Sequence, residues 1–159
     1  MSDARFEDGG ERALRLRAET AEDLAVISAL AQDAVAEVRD AAWTPKRRRF
    51  AVLLTRFRWE DAEAARRQGR PFERVRSLLT IEQALTARAS GLDPRDGDQV
   101  VSLLAIGWTP GADGAGVLSL TLAGDGEVAI GVEALEVTLT DVARPHEAAA
   151  RRAPAHPGV

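Results

Sequence analysis

The stretch VLSLTLAGDGEVAIGVEALEVTL, residues 117–139, decides the fold. Residues 117–123 alternate apolar and polar side chains, the period of a strand with one buried face. Gly-Asp-Gly follows at 124–126, a short turn signal between two such runs and the mark of a β-hairpin. Residues 127–139 alternate again, with a change of phase inside the run. Val128, Ile130 and Val132 lie on even positions, whereas Leu135, Val137 and Leu139 lie on odd ones. A strand cannot keep one face buried through that change without a bulge or bend, so one is expected at Glu133 and Ala134.

Working outward, the same period recurs over most of the chain. Residues 99–108 (QVVSLLAIGW), 74–89, 49–59 (RFAVLLTRFRW), 34–43 and 13–19 (ALRLRAE) all read as strands, separated by turn-rich segments at 91–98 and 109–116. Over 74–89, Val75, Leu79, Ile81 and Leu85 fall on one face, opposite Arg74, Arg76, Thr80, Glu82 and Arg88. The exception to period two is 21–33. There Leu24, Ile27, Leu30 and Ala31 recur at helical spacing, after a Thr20 N-cap and with Glu22 and Asp23 in the first turn. Residues 60–71 suggest a short helical turn closed by Gly69 and Pro71. The expected fold is α+β: a curved antiparallel sheet of about six to seven strands in successive hairpins, packed against one N-terminal amphipathic helix. A single domain is expected over 13–142, between a flexible N-terminus at 1–12 and a disordered, Ala-, Arg- and Pro-rich tail at 143–159.

Composition excludes more chemistry than it suggests. The 159 residues contain no Cys and two His, His146 and His156, both in the tail. The folded part therefore offers no thiolate or imidazole for nucleophilic catalysis or zinc binding. No apolar run approaches the roughly 18 residues that span a bilayer. With a polar, acidic N-terminus, a cytoplasmic bacterial protein without membrane contact is expected. No cofactor or metal is implied. The segment DPRDGD at 93–98 lacks calcium-loop spacing, because Leu104 stands where the loop would need Glu. GADGAG at 111–116 lacks the Lys-Ser/Thr ending of a phosphate loop. Asp33, Glu37 and Asp40 form the one carboxylate group near a helix-to-strand junction. They read as a solvated helix end sooner than as an acid/base pair.

Charge is the positive signal. The net charge is −4, yet residues 43–76 alone carry +7, between flanks of −5 and −6. Within that third, WTPKRRRFAVLLTRFRWE (43–60) contains the only lysine, Lys46, then Arg47, Arg48 and Arg49 at a Pro-initiated turn, and Arg56 and Arg58 on the strand beyond. Arg74 and Arg76 could join Arg56 and Arg58 on one face if the two strands pair. The commonest meaning of such a run is a solvated, partly paired surface, with Arg56 bridged to an acid such as Asp33. A non-catalytic accessory or interaction domain using this face for an acidic protein or anionic ligand comes next. An RNA- or DNA-binding module is the alternative, with Trp43, Phe57 and Trp59 as stacking groups. An enzyme using carboxylates and arginines is the second alternative.

Four motifs in order, EDLAVISALAQDAV (22–35), WTPKRRRF (43–50), TRFRWE (55–60) and VVSLLAIGW (100–108), resemble the alphaproteobacterial domain-of-unknown-function family DUF2948 over residues 13–142. The resemblance implies no known activity, substrate or cofactor. Its matching positions here are Asp33, Arg49, Arg56 and Glu60, which an Asp–Arg pairing that locks helix to sheet would explain. In that family Asn commonly precedes the Arg-Phe pair; here the position is Thr55.

Overall fold

The computed structural model describes residues 13–142, which carry ten strands and two α-helices. The strands are β1 (Arg15–Ala18), β2 (Val35–Glu37), β3 (Ala41–Thr44), β4 (Arg49–Phe57), β5 (Arg74–Ile81), β6 (Ala84–Ser90), β7 (Val100–Pro110), β8 (Gly116–Leu122), β9 (Glu127–Val132) and β10 (Val137–Asp141). The helices are α1 (Ala21–Leu30) and α2 (Ala62–Gln68). One antiparallel sheet runs in the order β1-β10-β5-β4-β2-β7-β8-β9-β6, with β3 beside the other end of β4. The expectations for 1–12 and 143–159, including His146 and His156, lie outside the described residues.

The architecture is α+β and antiparallel, but with ten strands where six to seven were expected. The helix follows β1 and does not lead the chain, and a second short helix is present. Three expected strands are each broken in two, the third being 127–139, which divides into β9 and β10. The run 34–43 is interrupted by a 3-10 turn, Val38–Asp40, whose backbone turns aside to the loop after β6: Val38 N donates to Gln99 O at 2.9 Å and Arg39 N to Gly97 O at 3.1 Å. The run 74–89 breaks at Gln83, whose φ of 58° lies in the left-handed region and ends the ladder. Leu85, expected inside with Val75, Leu79 and Ile81, is therefore exposed beyond the break.

The phase change near Glu133 is the second corner, where β9 ends at Val132 and β10 begins at Val137. The two corners bond to each other, Glu82 N to Glu136 O and Glu133 N to Gln83 O, both at 2.9 Å. Through them the sheet folds over on itself. Phe50, Val52, Leu54, Leu79 and Leu139 from one half share a single core with Leu103, Leu118, Leu120 and Ile130 from the other. Full burial of each such side chain contributes about 1.5–3 kcal/mol.

α1 packs against both β1 and β7. Its start follows the sequence: Thr20 Oγ1 accepts from Asp23 N at 3.1 Å. Leu24, Ile27 and Ala31 are buried, with Leu30 half-buried. Ser28 Oγ accepts from Ile106 N at 2.9 Å, beside the register shift in β7 between Leu103 and Ala105. The hydroxyl thereby satisfies an amide that the irregular ladder leaves over. Among the described residues no helix is long and apolar enough to cross a membrane.

Turn chemistry agrees with the ladder. In the Gly-Asp-Gly hairpin, Gly124 and Asp125 have φ of 81° and 72°, a left-handed backbone that Gly adopts freely and Asp more readily than most residues. Gly91, which ends β6, has φ of 74°, and a Cβ there would stand 2.5 Å from the Asp125 carbonyl oxygen of that hairpin. Gly91→Ala is therefore expected to lower stability by about 1–3 kcal/mol, read as a fall in urea midpoint at unchanged slope.

Candidate functional site

β4 and β5 pair so that Phe50, Val52, Leu54 and Arg56 stand opposite Ile81, Leu79, Ser77 and Val75. Directly opposed residues share a face, and this one is the core face. Arg56 and Arg58 therefore point inward, at 0% and 5% exposure, although β4 is otherwise apolar on that side. Arg74 and Arg76 pair with Phe57 and Thr55 and point outward. The four arginines do not form one face: two are inside and two outside. The register is off by one residue from the arrangement that would have joined them.

The buried Arg56 uses every donor it has. Nε donates to Ser77 Oγ at 3.0 Å and to Asp141 Oδ1 at 3.2 Å. Nη1 donates to the Phe57 carbonyl at 3.0 Å and to Glu60 Oε1 at 2.9 Å. Nη2 donates to Glu60 Oε2 at 2.8 Å and to Asp141 Oδ2 at 3.2 Å. Asp141 also accepts from Ser77 Oγ at 2.6 Å and from Leu14 N at 2.8 Å. Around this centre, Arg58 pairs with Glu73 and with Asp61, the latter at 3.4 Å. Asp61 in turn takes Arg70 at 3.0 Å. β1, β4, β5, β10 and the turn Trp59–Asp61 are thus tied by one network of charges.

Burial disfavours the charge on Arg56, but the hydrogen bonds and charge of Glu60, with those of Asp141, outweigh it and raise its pKa. Burial likewise works to raise the Glu60 carboxyl. The Arg56 hydrogen bonds and charge prevail and hold it below its ordinary value of 4.5. Glu60 is an ionised acceptor with both oxygens engaged, which suits a structural anchor and not a proton donor.

The remaining candidates are placed as follows. Asp33 is exposed, with φ of 66°, and its backbone N donates to Leu103 O at 2.7 Å. It does not reach Arg56; Asp141 holds that place. Arg48 pairs with Glu133 at 2.8 Å and Arg49 with Glu82 at 3.1 Å, while Arg17 pairs with Glu136 at 2.8 Å. The basic turn thus neutralises the acidic corners of the sheet, with Arg47 left exposed. The turn itself is a 3-10 turn, Pro45–Arg47, ended by Arg48 at φ 50°. Glu37 pairs with Arg39 at 3.0 Å. Among the described residues no group of three His, Cys, Asp or Glu side chains could hold a metal ion.

Ser77, Asp141 and Arg15 escaped the sequence reading. Asp141 had a signal: it continues the inward parity of Val137 and Leu139. Arg15 had one too, standing outward between Leu14 and Leu16. On the outer face Arg15 is level with Thr140 of β10, and β10 lies next to β5, which carries Arg74 and Arg76. The guanidinium of Arg74 lies 4.7 Å from the centre of the Phe57 ring. None of these three arginines has a carboxylate partner among the described residues.

Compared with known proteins, residues 14–156 match the family model described as "Protein of unknown function (DUF2948)". No curated protein and no solved structure matches the chain.

Removing Arg56 strands two carboxylates, so Arg56→Ala is expected to cost about 3–5 kcal/mol in urea unfolding. Arg56→Lys should recover only part of this, because one ammonium cannot replace a planar fork of five donors. Acid sensitivity follows from Glu60. Its depressed pKa contributes stability that is full above 4.5 and is lost as pH falls through the lower folded value. Between pH 5 and pH 3, Glu60→Gln should therefore show a shallower decline in stability than the wild type, measured by urea midpoints across pH.

Proposed function

Given that the chain belongs to the DUF2948 family, whose description names no activity, we propose that it is a non-catalytic interaction domain. Its outer sheet face, through Arg15, Arg74 and Arg76, binds an acidic segment of a protein partner. The observation that carries this reading is the difference between the arginines. Arg17, Arg48, Arg49, Arg56 and Arg70 are all neutralised by carboxylates at 2.8–3.1 Å. The three on this face are not. They stand on β1 and β5, two strand spacings or roughly 10 Å apart, on a sheet that fixes their directions. Guanidinium forks so held suit carboxylates spaced along an extended peptide. Thr55, Thr138 and Thr140 share the face and add hydroxyls beside them.

An acidic peptide fits better than a nucleic acid. Single-stranded bases need open aromatic faces. Arg74 lies over the Phe57 ring and Trp43 packs against the core, which leaves Trp59 as the one exposed ring of the three. The net charge of −4 also opposes a polyanion at long range.

The test is fluorescence anisotropy with a labelled Asp/Glu-rich decapeptide and with a labelled single-stranded oligonucleotide of equal charge. The peptide should bind, and bind more weakly as salt rises. The Arg15→Ala/Arg74→Ala/Arg76→Ala variant should lose about tenfold in peptide affinity, with little change in urea midpoint. Tighter binding of the oligonucleotide would favour the nucleic-acid reading. Peptide affinity unchanged in the triple variant would end the proposal.

A further inference from the structure

The outer face of the sheet does not end at the basic strands. Ala36 and Val101 turn inward, onto an apolar cavity of about 300 Å³ between the two halves of the sheet. Alternation then sends their neighbours Val35, Glu37, Val100 and Ser102 outward. On β4, Val52, Leu54 and Arg56 are buried, so Leu53, Thr55 and Phe57 also face out. Val35 stands opposite Thr55 on one side and Ser102 on the other. Its diagonal neighbours across those pairs are Leu53 and Phe57 on β4 and Val100 on β7, about 7–8 Å away and within side-chain reach. Trp59 extends the set. Its ring centre lies 5.4 Å from that of Phe57, and its indole N–H donates to the carbonyl of Gln32, just before Val35, at 3.0 Å. Val100, at 64%, is the most exposed large apolar side chain among the described residues, and Val35 and Trp59 are exposed as well. Single exposed apolar residues need no partner, but a contiguous group of them marks a surface that something covers.

The charges on either side decide what covers it. Thr55 and Phe57 pair with Arg76 and Arg74, so the apolar group borders the basic one directly. From Arg76 on β5 to Val35 on β2 is two strand spacings, roughly 10 Å, or about three residues of extended chain. On the far side the charges are acidic: Glu37 stands opposite Val100, and Asp33, just before Val35, is exposed. We propose that the acidic segment bound by Arg15, Arg74 and Arg76 carries a block of large apolar side chains next to its carboxylates, and that this block docks on Val35, Leu53, Phe57, Trp59 and Val100. The inference rests on the acidic-peptide reading above and adds the order of the partner's residues. Carboxylates lie over β5, β10 and β1. The apolar block, free of acids, lies over β4, β2 and β7, where Glu37 and Asp33 would repel a carboxylate. Burial of the block supplies affinity that salt does not screen, while the guanidiniums fix its direction.

Fluorescence anisotropy of the full chain with three labelled peptides tests this. The first is the Asp/Glu-rich decapeptide, the second is that decapeptide extended by a Leu- and Phe-rich block, and the third has the second's composition with acidic and apolar residues alternating. The block peptide should bind about tenfold more tightly than either of the others. Val35→Thr/Val100→Thr keeps β-branched residues at exposed strand positions, so the urea midpoint should hold. It should lower affinity for the block peptide about threefold to tenfold and leave the decapeptide unchanged. Equal affinity for block peptide and decapeptide, indifferent to Val35→Thr/Val100→Thr, would overturn the apolar docking and leave the acidic-peptide reading standing. Equal affinity for block and alternating peptides would overturn the order of residues. Binding of both acidic peptides unaltered in Arg15→Ala/Arg74→Ala/Arg76→Ala would overturn that reading, and this inference with it.

Discussion

The fold depends on a positive charge that has been taken out of water. Arg56 sits at 0% exposure on the core face of β4, where Phe50, Val52 and Leu54 precede it. An unpaired guanidinium there would cost several kcal/mol. The chain meets that cost with Asp141 on β10, Ser77 on β5 and Glu60 on the turn after β4, so that all five N–H groups are used. The arrangement is also a register lock. Slipping β4 against β5 by one residue would turn Arg56 to solvent and strand Asp141 inside. Because Asp141 also holds the Leu14 amide, the edge strand β1 depends on the same charge.

A second set of charges works at the corners. A sheet that folds over needs strands that change direction, and here β5 passes into β6 and β9 into β10. The corners carry Glu82, Glu133 and Glu136, close together where the two crossings bond to each other. Arg49, Arg48 and Arg17 neutralise them one by one. Within the tetrad 46–49, Arg48 and Arg49 thus serve the fold. Arg48, Arg49 and Arg56 of the basic middle third each meet a carboxylate from the acidic C-terminal flank, Glu133, Glu82 and Asp141. Arg15, Arg74 and Arg76 on the outer face of β1 and β5 have no carboxylate partner among the described residues.

Folding the sheet over also sets what the interior can do. Two inner faces meet across one core, but alanines at 36, 87 and 89 leave them short of contact on one side. None of the side chains in the charge network around Arg56 lines the resulting cavity. The basic outer face and the apolar cavity are thus separate features of the fold.

Local order was legible in the residues. Period-two alternation placed most strands within a residue or two, Thr20 marked the start of α1, and the phase change at Glu133 marked a corner. These features arise from neighbours along the chain: turn geometry, capping and the alternation of side chains across a pleated backbone. The strand count was not legible, because Gln83 and the turn Val38–Asp40 interrupt runs whose composition does not change, and the phase change at Glu133 ends a strand where a bulge within one was expected. Nor was the direction of the arginines. Parity along β4 groups Arg56 and Arg58 with Phe50 and Val52, and parity along β5 separates Arg74 and Arg76 from Val75. Which of these groups faces the core is settled by what lies opposite. For Arg56 the answer is Asp141, 85 residues away, which no local pattern joins to it. Alternation is a property of one strand. Burial of a charge is decided by the partner that meets it, and only the assembled sheet brings that partner into reach.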